Sequence, residues 1–187
     1  MSRSNLSLRS TVEIYFITTS VHNRLKILTH QTNAEIIADS LTFLVNQGSI
    51  RIYGYVIMPD HIHLILKSKV SEQIMRRFKS FTARKVIDNC TAKYQYVRLS
   101  KMKTSRGGKQ CFQLWEKSYH PVAINREAVF DQKLHYIYEN PVKSGLVTRA
   151  EEYHWSNALM YEKGLRCDRF CRNAFLNPDD FKPGVVT

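Results

Sequence analysis

Two histidines, His61 and His63, stand one residue apart in the stretch YGYVIMPDHIHLILK (residues 53–67), where the surrounding pattern asks for apolar side chains. Side chains alternate along a strand, so His61, His63 and Ile65 share one face and Ile62, Leu64 and Leu66 the other. The second set is wholly apolar and is expected to face the core. The histidines then point together, away from it, with both rings close enough to bind one ion. Neutral imidazole is the commonest metal ligand. HxH also arises by chance in strands, so a metal site needs a third ligand.

A later segment, VFDQKLHYIYENPV (129–142), offers one. Phe130, Leu134 and Ile137 recur at helical spacing and define a buried stripe. At about 100° per residue, Tyr136 and Asn140 project roughly 40° apart on a different, polar face near Lys133, whereas Tyr138 falls at the edge of the core. If this helix packs near the HxH strand, the Asn140 side-chain oxygen could complete a three-ligand site with His61 and His63. Nitrogen and oxygen donors without thiolate suit Mg²⁺ or Mn²⁺, with Zn²⁺ a further candidate. The ion would polarise a phosphate as a Lewis acid, and Tyr136 could attack it as a nucleophile. A tyrosine with a free pKa near 10 needs help from the ion or a base to do so. The plainer alternative for Tyr136 is a partly buried aromatic.

The elements that must position these groups follow from periodicity and punctuation. Thr11 to Val21 reads as a strand, and Asn33 can cap a helix reaching about Asn46, with Gly48 just past its end. Ser49 to Met58 and His61 to Lys67 read as two strands that can pair as a hairpin across MPD. Ser71 can cap a long helix to about Cys90, Thr91 to Gln110 reads as irregular, and Phe112 to Ile124 as a fourth strand. The last strong helix runs from Arg126 to Asn140, stopped by Pro141. This β-α-β-β-α-β-α order predicts an α+β fold of the ferredoxin-like, split βαβ type. Its sheet is antiparallel with helices on one face, and a C-terminal helix carries the tyrosine. Residues 1–160 form one domain in this reading, and residues 161–187 a C-terminal extension.

The chain has 187 residues, enough for one proper core, with ordinary hydrophobic (43%) and charged (24%) content but a net charge of +12. That surplus favours a polyanionic partner, either nucleic acid or an anionic membrane surface. The beginning MSRSNLSLRS lacks an apolar signal region, and no apolar run reaches membrane-spanning length. The cysteines Cys90, Cys111, Cys167 and Cys171 form no CxxC pair. Together these predict a cytoplasmic protein with reduced thiols and no membrane partner.

The blocks MPDHIHLIL, LWEKSYHPVAI, YIYENPVKSGLV and EYHWSN resemble, in this order, the motifs of single-tyrosine HUH transposases. Within that group they look most like the REP-associated tyrosine transposases of the IS200-like superfamily. The resemblance spans roughly Glu13 to Asn157 and implies a ferredoxin-like nuclease acting on single-stranded DNA, often at hairpin-forming ends. His61 and His63 match the family's metal ligands, Asn140 its third ligand and Tyr136 its nucleophile. The reaction implied leaves a 5′-phosphotyrosine and a free 3′-hydroxyl, and so allows rejoining. The family includes monomers and homodimers.

A DNA-binding surface is expected from the cations Lys93, Arg98, Lys101, Lys103, Arg106 and Lys109, interleaved with Tyr94 and Tyr96. Arg76, Arg77, Arg84 and Lys85 on the preceding helix, and Lys133 on the last one, would extend it. Phosphates need cations, and unstacked bases can lie on rings. Trp115, Tyr119 and Trp155 are expected to pack the core. Two other readings compete. One is a non-catalytic, domesticated binder of single-stranded or hairpin nucleic acid on the same fold. The other is a metal hydrolase using water, which leaves Tyr136 without a role.

Overall fold

A computed structural model describes residues 13–68, 71–92, 96–106, 109–117 and 121–163. The strand β1 (Glu13–Ser20) leads through two single 3₁₀ turns into α1 (Gln31–Asn46). A hairpin of β2 (Arg51–Ile57) and β3 (His61–Ser68) follows, then the long helix α2 (Ser71–Ala92). Next come α3 (Tyr96–Lys101), the small hairpin β4 (Lys103–Arg106) and β5 (Lys109–Phe112), and the short strand β6 (Val122–Ile124). The chain continues with α4 (Glu127–Lys143) and α5 (Ala158–Glu162). The main sheet has the order β2-β3-β1-β6, with every pairing antiparallel. β1 and β2 thus flank β3, which is the split βαβ arrangement.

Helices cover both faces of this sheet, not one. Ile62, Leu64 and Leu66 pack into a cluster with Ile37 and Leu41 of α1 and Met75, Phe78 and Val86 of α2. On the opposite face Ile65 meets Phe16, Val56 and the α4 stripe Phe130, Leu134 and Ile137. Each such side chain contributes roughly 1.5–3 kcal/mol when fully buried. The face expected to leave the histidines looking away from the core is therefore roofed by α4. His61 and His63 are only 7% and 3% exposed, in the seam between sheet and helix.

Gly54 sets how closely that roof approaches. A Cβ at this position would lie 2.5 Å from Leu134 Cδ1. The end of a leucine can swing aside for one methyl, so Gly54→Ala should be mild. Gly54→Val is expected to cost about 1–3 kcal/mol and lift α4 from β2. Urea unfolding of the two variants checks the order.

The β2 edge beside it is held by the EYHWSN segment. Asn157 accepts a hydrogen bond from Tyr55 N (2.9 Å) and donates one to Tyr53 O (3.1 Å), across the register shift between Ile52 and Gly54. Ile57 N donates to Trp155 O (2.8 Å), and the Tyr153 hydroxyl to Ile57 O (3.0 Å). These bonds satisfy backbone groups that an edge strand would otherwise expose.

Several boundaries differ from those expected, each for a local reason. Asn33 does not cap α1, which begins at Gln31. It is wholly buried, donating to Ile27 O (3.0 Å) and accepting from Asn89 Nδ2 (2.7 Å), and so ties α1 to α2. The basic stretch after α2 is ordered where Leu99 and Met102, three residues apart, reach the core. The fourth strand shrinks to β6 because Trp115 is drawn inward, where its indole N–H donates to Thr82 (2.9 Å). Trp155 packs against the same cluster, and Tyr119 lies outside the described residues. Pro141 does not stop α4 but sits inside its last turn. A proline there forfeits only one hydrogen bond near an end already short of partners.

Candidate active site

β3 brings the two histidines together, and β1 supports one of them. His61 and His63 have ring centroids 4.7 Å apart. Thr18 is the register partner of His63, and its hydroxyl lies 2.8 Å from His63 Nδ1. Phe16 stacks on the His63 ring at 5.4 Å. His63 Nε2 is buried and has no hydrogen-bond partner. A bare buried ring nitrogen is costly unless something engages it.

His61 is oriented from its own chain neighbour. Its Nδ1 lies 2.6 Å from Asp60 Oδ1, so the proton belongs on Nδ1 and the lone pair on Nε2. The second oxygen of Asp60 takes the Arg24 Nε at 3.0 Å. Arg24 and Asn23 both have positive φ, 53° and 54°. For residues with a Cβ this costs roughly 1–2 kcal/mol each. Glu116 holds the turn by accepting from Asn23 N (2.9 Å) and contacting His22 Nδ1 (3.0 Å). These contacts, the Asn23 bond foremost, hold the Glu116 carboxyl below the usual carboxylate range.

α4 supplies the remaining groups. The Tyr136 ring stands 5.2 Å from His63 and 5.9 Å from Phe16, edge-on to both, and the residue is 42% exposed. Lys133, one turn earlier, places Nζ over the Phe16 ring at 4.9 Å. Asn140 donates from Nδ2 to Tyr136 O at 2.6 Å, since a carbonyl requires a donor. Its Oδ1 is thereby identified as the acceptor turned elsewhere. Tyr138 is buried on the core side of the helix, in line with its spacing.

Burial, then the charges of His61, Arg24 and Lys133, push the His63 pKa down to about 3 from 6.5; the nearby Asn140 side chain acts the other way and more weakly, without a formed bond to Nε2. The His63 ring is thus available as a neutral ligand. The sign for stability follows directly. The unfolded chain protonates His63 below 6.5 and the folded one does not, so stability is full above 6.5 and falls as pH drops toward 3. At pH 5 this amounts to ~2 kcal/mol. Urea unfolding with a chelator at pH 7.5 and 5 should show wild type losing about that much more than His63→Gln.

Among the described residues, no group of three or more His, Cys, Asp and Glu side chains is placed to hold a metal. An ion here would need His61 Nε2, His63 Nε2 and the Asn140 amide oxygen. The orphaned His63 nitrogen and the lone pair left on His61 fit such a ligand set.

Among the described cations of the expected DNA-binding set, Arg76 and the pair Arg77 and Lys85 lie on different sides of α2. Arg76 lines a cleft of about 580 Å³ between α2 and the β4–β5 hairpin, with Lys79, Glu116 and Lys117. Arg77 and Lys85 face a groove on the other side of α2, beside Phe43 and Phe81. Nine residues of helix carry Arg76 and Lys85 to opposite sides. Arg84, Lys101 and Lys103 are exposed. Arg98, Arg106 and Lys109 lie on α3, β4 and β5, and Lys93 falls outside the described residues. Lys133 lies over Phe16, close enough to His63 for its charge to act on that ring.

Sequence reasoning missed Asp60, Arg24, Thr18 and Glu116. Asp60 was legible as the residue before His61. The other three become neighbours only through strand register and loop packing.

The profile of a family described as "Transposase IS200 like" matches residues 10–140, a span that includes His61, His63, Tyr136 and Asn140. No curated protein matches the chain. A solved structure described as "Structure of the REP associates tyrosine transposase bound to a REP hairpin" is similar to this chain with a TM-score of 0.62 and 18% identity. That similarity covers 100% of this chain and 94% of the other, and shows a shared fold. A second, a putative transposase from Deinococcus radiodurans, has a TM-score of 0.46 and 20% identity, covering 73% of this chain and 95% of that one. The family match extends over well more than half of the 187 residues, and the chain belongs to the IS200-like transposase family.

Proposed function

We propose that this transposase cleaves and rejoins single-stranded DNA at hairpin-forming ends, with Tyr136 as nucleophile and a 5′-phosphotyrosine intermediate. The observation that carries this reading is the Tyr136 ring 5.2 Å from His63, whose Nε2 is buried without a partner. His61, His63 and Asn140 would hold a divalent ion, Mg²⁺ or Mn²⁺ by donor type. When bound, such an ion would polarise the scissile phosphate and spread its developing charge.

The chain's own groups do the rest. The Tyr136 oxygen attacks phosphorus and forms the P–O(Tyr) bond as the P–O3′ bond breaks. The phenolic proton leaves Tyr136, and the departing 3′ oxygen ends as a hydroxyl, so charge and protons balance. Lys133, three residues before Tyr136 on the same helix, favours an anion at this place. Since one ester replaces another, a second 3′-hydroxyl can reverse the step on a different strand.

Hairpin DNA as partner is supported by family membership and by the REP hairpin named for the solved relative. The protein acts in the cytoplasm as a monomer or homodimer, with residues 1–160 as the catalytic domain and 161–187 as an extension. No helix of the described residues is long and apolar enough to cross a membrane. Exposed Arg76, Arg84, Lys101 and Lys103, if each meets one phosphate, give a salt slope of about −3 for single strands. Filter binding should show the slope become shallower by about 3 when all four become Gln.

The strand polarity tests the reaction. A hairpin with single-stranded flanks, labelled at one end or the other, is incubated with Mn²⁺ and run on a denaturing gel. The 3′-terminal label should migrate with the protein and the 5′-terminal label on a free fragment ending in a 3′-hydroxyl. Free fragments carrying both labels would overturn the tyrosine reading.

A further inference from the structure

The turn that carries Arg24 is an odd place to invest backbone strain. Asn23 and Arg24 occupy the left-handed region in succession, where glycine is the usual choice. The ion pair formed there, Arg24 Nε to Asp60 Oδ2 at 3.0 Å, has an arginine side chain 57% exposed, and exposed pairs add little to stability. The strain is therefore poorly explained by folding alone. Such strain persists where surrounding contacts over-determine the conformation, and it gathers at functional sites.

The contacts here are numerous and involve two carboxylates, Glu116 and Asp60. Glu116 holds Asn23 N and His22 from one side, and its own N–H donates to Ser20 O at 2.8 Å. Arg24 Nη1 donates to Ser20 Oγ at 3.0 Å. The Asp60 turn is pinned to the same loop by Val21 N to Asp60 O (2.8 Å) and Leu28 N to Pro59 O (2.9 Å). With its backbone fixed, the Asp60 carboxylate retains one freedom, rotation about its side-chain bonds. The Arg24 guanidinium removes it by taking Oδ2, leaving Oδ1 aimed at His61 Nδ1 at 2.6 Å.

We infer that Arg24 is a positioning residue for metal binding, acting through Asp60 to fix the tautomer and ring direction of His61, and that Glu116 holds the strained turn that places it. Outer partners of this kind orient a ligating imidazole and raise its basicity. The inference rests on the metal site proposed above, and it assigns work to a loop outside that site.

The test is Mn²⁺ titration followed by electron paramagnetic resonance, without DNA, on wild type, Arg24→Gly, Asp60→Asn and the double variant. Thermal melting of each protein with a chelator accompanies it. Asp60→Asn should weaken Mn²⁺ binding by about tenfold or more. Arg24→Gly should weaken it by part of that factor while the metal-free melting temperature holds or rises, because glycine relieves the strain. The double variant should bind like Asp60→Asn alone. Arg24→Gly binding Mn²⁺ as tightly as wild type would overturn the relay and leave the metal site standing. Full additivity in the double variant would also overturn it, since Arg24 would then act on its own. A wild type that binds no Mn²⁺ would overturn the metal site and the relay with it.

Discussion

Tyr136→Phe is expected to lower hairpin cleavage by about three orders of magnitude or more, equivalent to ~4 kcal/mol of transition-state stabilisation. The variant should bind the same DNA as well as wild type does. The expectation rests on where the hydroxyl lies. Tyr136 is 42% exposed on the polar face of α4, and the buried stripe of that helix is Phe130, Leu134 and Ile137. Loss of one oxygen from this face would delete the proposed nucleophile without opening a cavity. The edge-on packing of the ring against His63 and Phe16 is available to phenylalanine too. Residual cleavage in the variant would come from water at the same phosphate, and its product would carry no protein. Single-turnover cleavage beside equilibrium binding separates the two effects.

His63→Ala is expected to abolish cleavage and to reduce Mn²⁺ affinity below what direct titration detects. It would remove one of the three ligands proposed above, the one whose Nε2 is buried without a hydrogen-bond partner. Unlike the tyrosine change, it also disturbs the fold. The His63 ring stacks on Phe16 and contacts Thr18, so its loss leaves a gap between sheet and α4. A cost of about 1–3 kcal/mol at pH 7.5 is the scale for such a core change. The acid sensitivity assigned to His63 should vanish at the same time, so wild type and variant converge as pH falls. Urea unfolding at the two pH values checks this, beside the metal titration. Tight Mn²⁺ binding by His63→Ala would move the metal site elsewhere.

The two chemical groups were legible for different reasons. The alternation of Ile62, Leu64 and Leu66 against His61 and His63 fixed the strand faces, and the Phe130, Leu134, Ile137 stripe separated Tyr136 and Asn140 from Tyr138. Short-range periodicity of this kind survives folding because backbone geometry alone enforces it. The side on which α4 would pack was not legible. A strand whose second face bears two histidines reads as solvent-facing, and only the close approach at Gly54 lets a helix cover it. The same limit applies to Asn33, Trp115 and Pro141, where tertiary contact overrode a local capping, strand or helix-ending signal. Asn23 and Glu116 lie 93 residues apart and meet through the register of β1 and the path of the chain after β5, which no local pattern encodes.

The chemistry stands or falls most directly on the site of covalent attachment. A hairpin substrate cleaved in Mn²⁺ would be digested together with the protein by nuclease and protease, and the peptides analysed by mass spectrometry. A nucleotide 5′-phosphate carried on the peptide containing Tyr136, absent without metal and absent from Tyr136→Phe, is the predicted result. Cleaved DNA with every tyrosine peptide unmodified, or a nucleotide on another residue, would contradict it.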